Sequence, residues 1–144
     1  MSKNIFHKSN RSKGFTLVEV LVSVVIFSIG LLGLAGLQAT GIKLNHSSLL
    51  RSQATLLAYD IADRMRANRG NMANYTIDLD DAPFGTPVGQ AQEDLNGWLA
   101  NLGQLLPLGD GSVAFNSNRT TVIVQWDDTR GVGAPQTLTL VTDI

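Results

Sequence analysis

Lys13-Gly14-Phe15-Thr16-Leu17-Val18-Glu19 decides how this chain is read. A basic leader, a glycine, an aromatic residue and one glutamate stand at the mouth of a long apolar run. From Val20 to Ile42 no residue is charged, and only Ser23, Ser28, Gln38 and Thr40 are polar. Such a run is long enough to cross a bilayer, where roughly 20 apolar residues suffice. A carboxylate inside it is costly, by about 2.5–3.5 kcal/mol at the centre of a span and less toward its end. Glu19 therefore needs a reason to be there.

Working outward from that stretch, residues 1–14 carry Lys3, Lys8, Arg11 and Lys13 and no acid. These cations place the N-terminus in the cytoplasm by the positive-inside rule, and the C-terminal domain on the far side of the membrane. Removing the segment takes away four cations, shifting the formal charge from −1 to −5. A net-acidic chain poor in aromatics is a weak candidate for nucleic-acid binding. An ordinary secretory signal would have a shorter apolar core, about 7–15 residues, and would not hold Glu19. A plain uncut anchor explains the length but not the Gly14–Glu19 order.

The residues GFTLVEVLVSVVIFSIGLLGLAGLQ (14–38) resemble the class III signal of type IV pilins and pseudopilins. The resemblance implies a cut between Gly14 and Phe15 by a prepilin peptidase, followed by N-methylation of the new Phe15 amine. It also makes Glu19 the glutamate that pairs with the Phe15 amine of an adjacent subunit during assembly. The simpler alternative is that Glu19 reaches the headgroups or pairs with its own amine. On this reading the chain has three parts: leader 1–14, transmembrane and assembly half-helix 15–42, and periplasmic head 43–144.

Past the apolar run, Leu50, Ala54, Leu57, Ala58, Ile61 and Met65 recur at helical spacing, predicting an amphipathic continuation to about residue 69. Gly70 is the expected stop. Gly30, Gly33, Gly36 and Gly41 each lower helix propensity by about 1 kcal/mol relative to Ala. Gly30, Gly33 and Gly36 either let the helix bend or melt in a filament, or let neighbouring helices approach closely. Residues 70–92, rich in Asn, Asp, Pro and Gly, read as loop. Leu95, Trp98, Leu99, Leu102, Leu105 and Leu106 predict a second helix over 93–106, with Trp98 as a core anchor. Ser112–Phe115, Thr120–Trp126 and Thr137–Val141 read as strands, with Val122, Val124 and Trp126 on one face of the middle one. The expected fold class is α+β: a long N-terminal helix packed on a small antiparallel sheet, the type IV pilin-like architecture.

Arg51-Ser52-Gln53-Ala54 and the stretch Tyr59 to Arg69, with Gly-Leu-Leu-Gly at 30–33 and Trp126-Asp127, are similar to minor pilins of the PilV family, the type IV pilus modification proteins. That resemblance implies a role in priming pilus assembly near the tip, in twitching motility and in surface attachment. It implies as partners the prepilin peptidase, other minor pilins and the major pilin, a tip adhesin and the inner-membrane assembly platform. A minor pseudopilin of type II secretion shares the N-terminal motif and stands as the alternative, followed by an adhesion or DNA-uptake pilin. Arg64, Arg66 and Arg69 are candidates for docking a neighbouring subunit. Alternatively Asp60–Arg64 and Asp63–Arg66 are ordinary helix pairs worth a few tenths of a kcal/mol each.

No enzyme is expected. Cys is absent, and residues 15–144 hold one histidine, His46, with no catalytic triad, metal-spaced cluster or phosphate loop. Asp78, Asp80 and Asp81 lack the order of a calcium loop and read as a solvated turn. No cofactor or metal is expected, and no nucleic-acid partner.

Overall fold

A computed structural model of the chain describes residues 14–129 and 131–144. The leader cations Lys3, Lys8, Arg11 and Lys13 lie outside the described residues. The chain separates into two compact units, Met1–Ile42 and Lys43–Ile144. Helix α1 runs Leu17–Ala67. Its first part is apolar enough to cross a membrane, with a mean hydropathy of 2.6 over its most apolar window, none of which is buried among the described residues. The hydroxyls there are satisfied locally. Ser23 donates to the Glu19 carbonyl at 2.7 Å, Ser28 to Val24 at 2.7 Å and Thr40 to Gly36 at 3.0 Å. Back-bonding of this kind lets polar side chains sit in an apolar helix without an orphaned group.

In the second unit, the predicted amphipathic face is the buried one. Leu50, Ala54, Leu57, Ala58, Ile61, Ala62 and Met65 all enter the core. They meet helix α2, Gln90–Leu105, and a three-stranded antiparallel sheet of β1 (Asp110–Asn116), β2 (Arg119–Trp126) and β3 (Gln136–Asp143). Strand β2 is central, and Thr120, Val122, Val124 and Trp126 form its buried row. This is the α+β arrangement expected from the sequence, a long N-terminal helix followed by a small antiparallel sheet.

Trp98 is fully buried, and its Nε1 donates to the Leu57 carbonyl at 2.9 Å, tying α2 to α1. Gly111 lies directly beneath it. A Cβ there would meet Trp98 Cη2 at 2.4 Å and Leu102 Cδ1 at 2.8 Å, so only glycine lets strand and helix approach this closely.

Three expectations need correction. Leu105 was expected on the buried face of the second helix but is 49% exposed. The helix ends there, and Leu106 turns extended (ψ 134°) ahead of Pro107, which disfavours the helical conformation before it. Leu106 then swings into the core alone. The helix also begins earlier than expected, at Gln90, and its first turns bury Ala91 and Asp94. Finally, residues 70–92 are not all loop. A 3-10 segment covers Arg69–Asn74, and Met72, Tyr75 and Ile77 are buried. Ile77 and Val113 exchange two backbone hydrogen bonds, 3.0 and 2.9 Å long, along the edge of β1. Three apolar residues scattered among turn formers are too sparse for a periodicity reading to detect.

Candidate assembly site

The N-terminal site is built on the start of α1. Thr16 precedes the first helical residue, and its Oγ1 accepts from the Glu19 backbone N–H at 3.2 Å. Thr16-Leu17-Val18-Glu19 is thus the threonine half of a capping box, in which the N-cap hydroxyl satisfies an otherwise orphaned helix donor. The negative side chain in the first turn also suits the positive end of the helix dipole. This role was overlooked in reading the sequence, although the Thr-x-x-Glu spacing before an apolar run is its signature. Gly14 and Phe15 lie just outside the helix, and both are exposed. A cut between them leaves the cap whole.

Phe15, Glu19, Ser23 and Phe27 fall four residues apart and share one stripe, which with Val20 and Val24 lines a shallow open groove. The stripe places Glu19 as a lone carboxylate on an apolar, exposed helix face. Gly30, Gly33 and Gly36 lie within unbroken α-helix, and apart from that helix's own backbone nothing among the described residues lies within 4 Å of where their Cβ atoms would be.

The arginine candidates sit at the other end of α1 and differ from one another. Arg64 Nε donates to Asp60 Oδ2 at 3.1 Å, and its Nη1 to Asp94 Oδ1 at 3.4 Å. Burial works against the Arg64 charge, but the hydrogen bond and charge of Asp60, joined by those of Asp94, outweigh it and raise its pKa. Asp94, buried on α2, also accepts from the Tyr75 hydroxyl at 2.5 Å and from Gln90 Nε2 at 2.9 Å. Burial pushes the Tyr75 phenol pKa up and the bond to Asp94 adds to this, while Asn68 pulls the other way. Arg66 Nη1 donates to Asp63 at 2.6 Å and Nη2 to Thr142 Oγ1 at 2.9 Å, fastening α1 to β3. Arg69 is exposed and, among the described residues, its guanidinium has no hydrogen bond or ion pair. The structure therefore brings Arg64 and Arg66 into internal networks and leaves Arg69 outside them.

Two acids are buried, Asp94 and Asp127; the sequence pattern marks Asp127 at a strand end but shows the buried role of neither. Asp94 was hidden by its place among leucines on an otherwise apolar face. Asp127 directly follows β2 and organises the β2–β3 hairpin. Its N–H donates to the Pro107 carbonyl at 2.8 Å, its Oδ1 accepts from Thr129 N and Oγ1 at 2.7 Å each, and its Oδ2 accepts from Gly131 N. His46 is exposed. In the acidic turn, Asp78 N donates to Asp81 at 3.0 Å and Asp80 N donates to Asp110 at 2.7 Å.

A capped helix with an apolar first part, headed by Gly-Phe and carrying one early glutamate, followed by a small α+β head, is consistent with a type IV pilin-like fold. Residues 9–35 match the family model of the prokaryotic N-terminal methylation motif. Residues 36–90 match the family model of type IV pilin Tt1218. The two matches abut, and together they support a type IV pilin role for the chain. The motif implies processing by prepilin peptidase and assembly with other pilins, and the apolar helix is consistent with single-pass membrane anchoring. No curated protein and no solved structure matches the chain.

Proposed function

We propose that the chain is a minor pilin of the PilV kind, cut between Gly14 and Phe15 and methylated on Phe15. It is held in the inner membrane with its N-terminus in the cytoplasm and its head in the periplasm, and then passes into the pilus near the tip. There it primes assembly and supports twitching motility and surface attachment, with other minor pilins, the major pilin, a tip adhesin and the assembly platform as partners.

One observation carries this reading: Glu19 stands alone on an exposed apolar stripe beside Phe15. A carboxylate in hydrocarbon needs a counter-charge, because an unpaired buried ion costs several kcal/mol. The methylated Phe15 amine of a neighbouring subunit is a cation delivered at the same depth. The same Glu19 backbone N–H already serves the Thr16 cap, which fixes where its side chain leaves the helix.

The experiment is mass spectrometry of the protein recovered from its native envelope, paired with co-purification of its neighbours from cells with and without the peptidase. The expected product starts at methylated Phe15 and brings pilus subunits with it. Glu19→Ala is expected to be cut normally yet to fail to enter filaments. Intact residues 1–14 on the functioning product refute the proposal. Recovery with secretion pseudopilins alone reassigns the chain to type II secretion.

A further inference from the structure

The sheet has two unlike edges. On the β1 side, Ile77 exchanges two hydrogen bonds with Val113 and closes the edge at its middle. On the β3 side, no strand or bridge lies beyond Gln136–Asp143 among the described residues. Burial follows the same asymmetry. Val113, Val122 and Val124 are fully buried, whereas Leu138 and Leu140, facing the same core from β3, are only partly covered.

Strand β3 also lacks the devices that blunt an open edge, namely lysine, proline, a bulge or an inward charge. Its register with β2 runs unbroken from Arg119↔Asp143 to Trp126↔Gln136. Its only charge, Asp143, is at the end and pairs with Arg119 at 3.4 Å. The strand is otherwise uncharged and rich in Thr, Leu and Val, a composition that favours pairing. Alternate backbone N–H and C=O groups of such an edge point outward and are ready to extend the ladder.

We infer that β3 takes up an extended strand from a partner protein, neutral or basic, with an apolar side chain at every second position. The apolar row would finish the cover over Leu138 and Leu140. The alternate row would continue the exposed face of Thr137, Thr139 and Val141. Charge selects against a second copy of this chain as the occupant. Residues 43–144 hold seven Lys and Arg against eleven Asp and Glu, a formal charge of −4, so two such heads repel. This surface is separate from the Glu19 stripe and adds to the pilin reading.

The test uses the full-length chain in detergent micelles and an eight-residue synthetic peptide alternating valine with threonine or lysine. Two control peptides accompany it: one N-methylated at alternate residues, which removes the ladder donors, and one of the same composition shuffled to break the alternation. Hydrogen–deuterium exchange is read segment by segment. The alternating peptide is expected to slow exchange in 136–143 at least tenfold and to leave α2 unchanged, with neither control doing so. Equal protection by a control peptide overturns the inference, as does no protection by the alternating one. Protection that appears without peptide as the chain concentration rises overturns it in favour of self-pairing.

Discussion

Gly111→Ala tests the packing of the head at its tightest point. The new methyl group would lie 2.4 Å from Trp98 Cη2, 2.8 Å from Leu102 Cδ1 and 3.0 Å from the Ile123 carbonyl. None of these neighbours has room to retreat, since Trp98 and Leu102 are fully buried and Ile123 belongs to the central strand. Overpacking of this kind costs about 1–3 kcal/mol. If Trp98 moves to relieve it, the Nε1 bond to Leu57 is lost, and an unsatisfied buried donor adds about 1–3 kcal/mol. The sum is about 2–6 kcal/mol, which lowers Tm by at least about 8 °C in a head of this size. Near-UV circular dichroism of the full chain in micelles follows the tryptophan environment through that transition. Trp98→Phe removes the tightest of the three contacts, so in that background Gly111→Ala is expected to cost less than in the parent. A Tm within about 2 °C of the parent for Gly111→Ala, or additive effects in the pair, refutes the reasoning.

Asp94→Ala strands the Tyr75 hydroxyl and Gln90 Nε2 and takes one partner from Arg64, so a loss of about 2–4 kcal/mol is expected in urea unfolding, with Asp94→Asn costing less. The raised Tyr75 pKa has a signed consequence. Above pH about 10 the unfolded chain loses the phenolic proton while the folded chain keeps it, so the folded state binds more protons and stability falls as pH rises. The contribution is complete below that pH, and Tyr75→Phe should flatten this part of the alkaline slope in urea midpoints taken from about pH 8 to 11. Arg69→Glu is expected to leave unfolding stability within about 0.5 kcal/mol of the parent while weakening co-purification with neighbouring pilins. Unchanged recovery removes Arg69 from the docking surface.

The helix and strands were legible because each repeats a period. The buried faces of α1 and β2 are the residues marked by spacings of 3.6 and 2, and Trp98 anchors the core where the leucine pattern placed it. The misread parts have two causes, a local stop at Pro107 and contacts between distant segments. Leu105 has the right spacing but lies past the point where Pro107 forces the chain to straighten. Met72, Tyr75 and Ile77 are held by α2 and β1, which a local window does not include. Asp94 looks like a polar interruption in an apolar face until Arg64, Tyr75 and Gln90 are brought to it from three places. At the N-terminal site the motif residues were legible, and Thr16 owes its place to the cap that its hydroxyl provides for the Glu19 N–H.

The two parts of α1 solve different problems with one secondary structure. In the second unit the helix has a partner for its apolar face, and Ala54, Ala58, Ile61, Ala62 and Met65 are fully buried by their own chain. In the first unit the same backbone presents Leu21, Val25, Phe27, Leu32 and Leu37 on all sides, each more than half exposed. No rotation hides such a surface, because it has no polar face to offer water. It needs hydrocarbon or sister helices, and those two surroundings treat Glu19 in opposite ways. On the proposed pairing, lipid tails give its charge nothing whereas a neighbouring amine gives it a partner, so the carboxylate would disfavour the bilayer and favour the bundle. That difference would give the helix a direction of travel from membrane to filament. It also explains why one acid, placed near the end of the span where its cost is least, is more useful there than none.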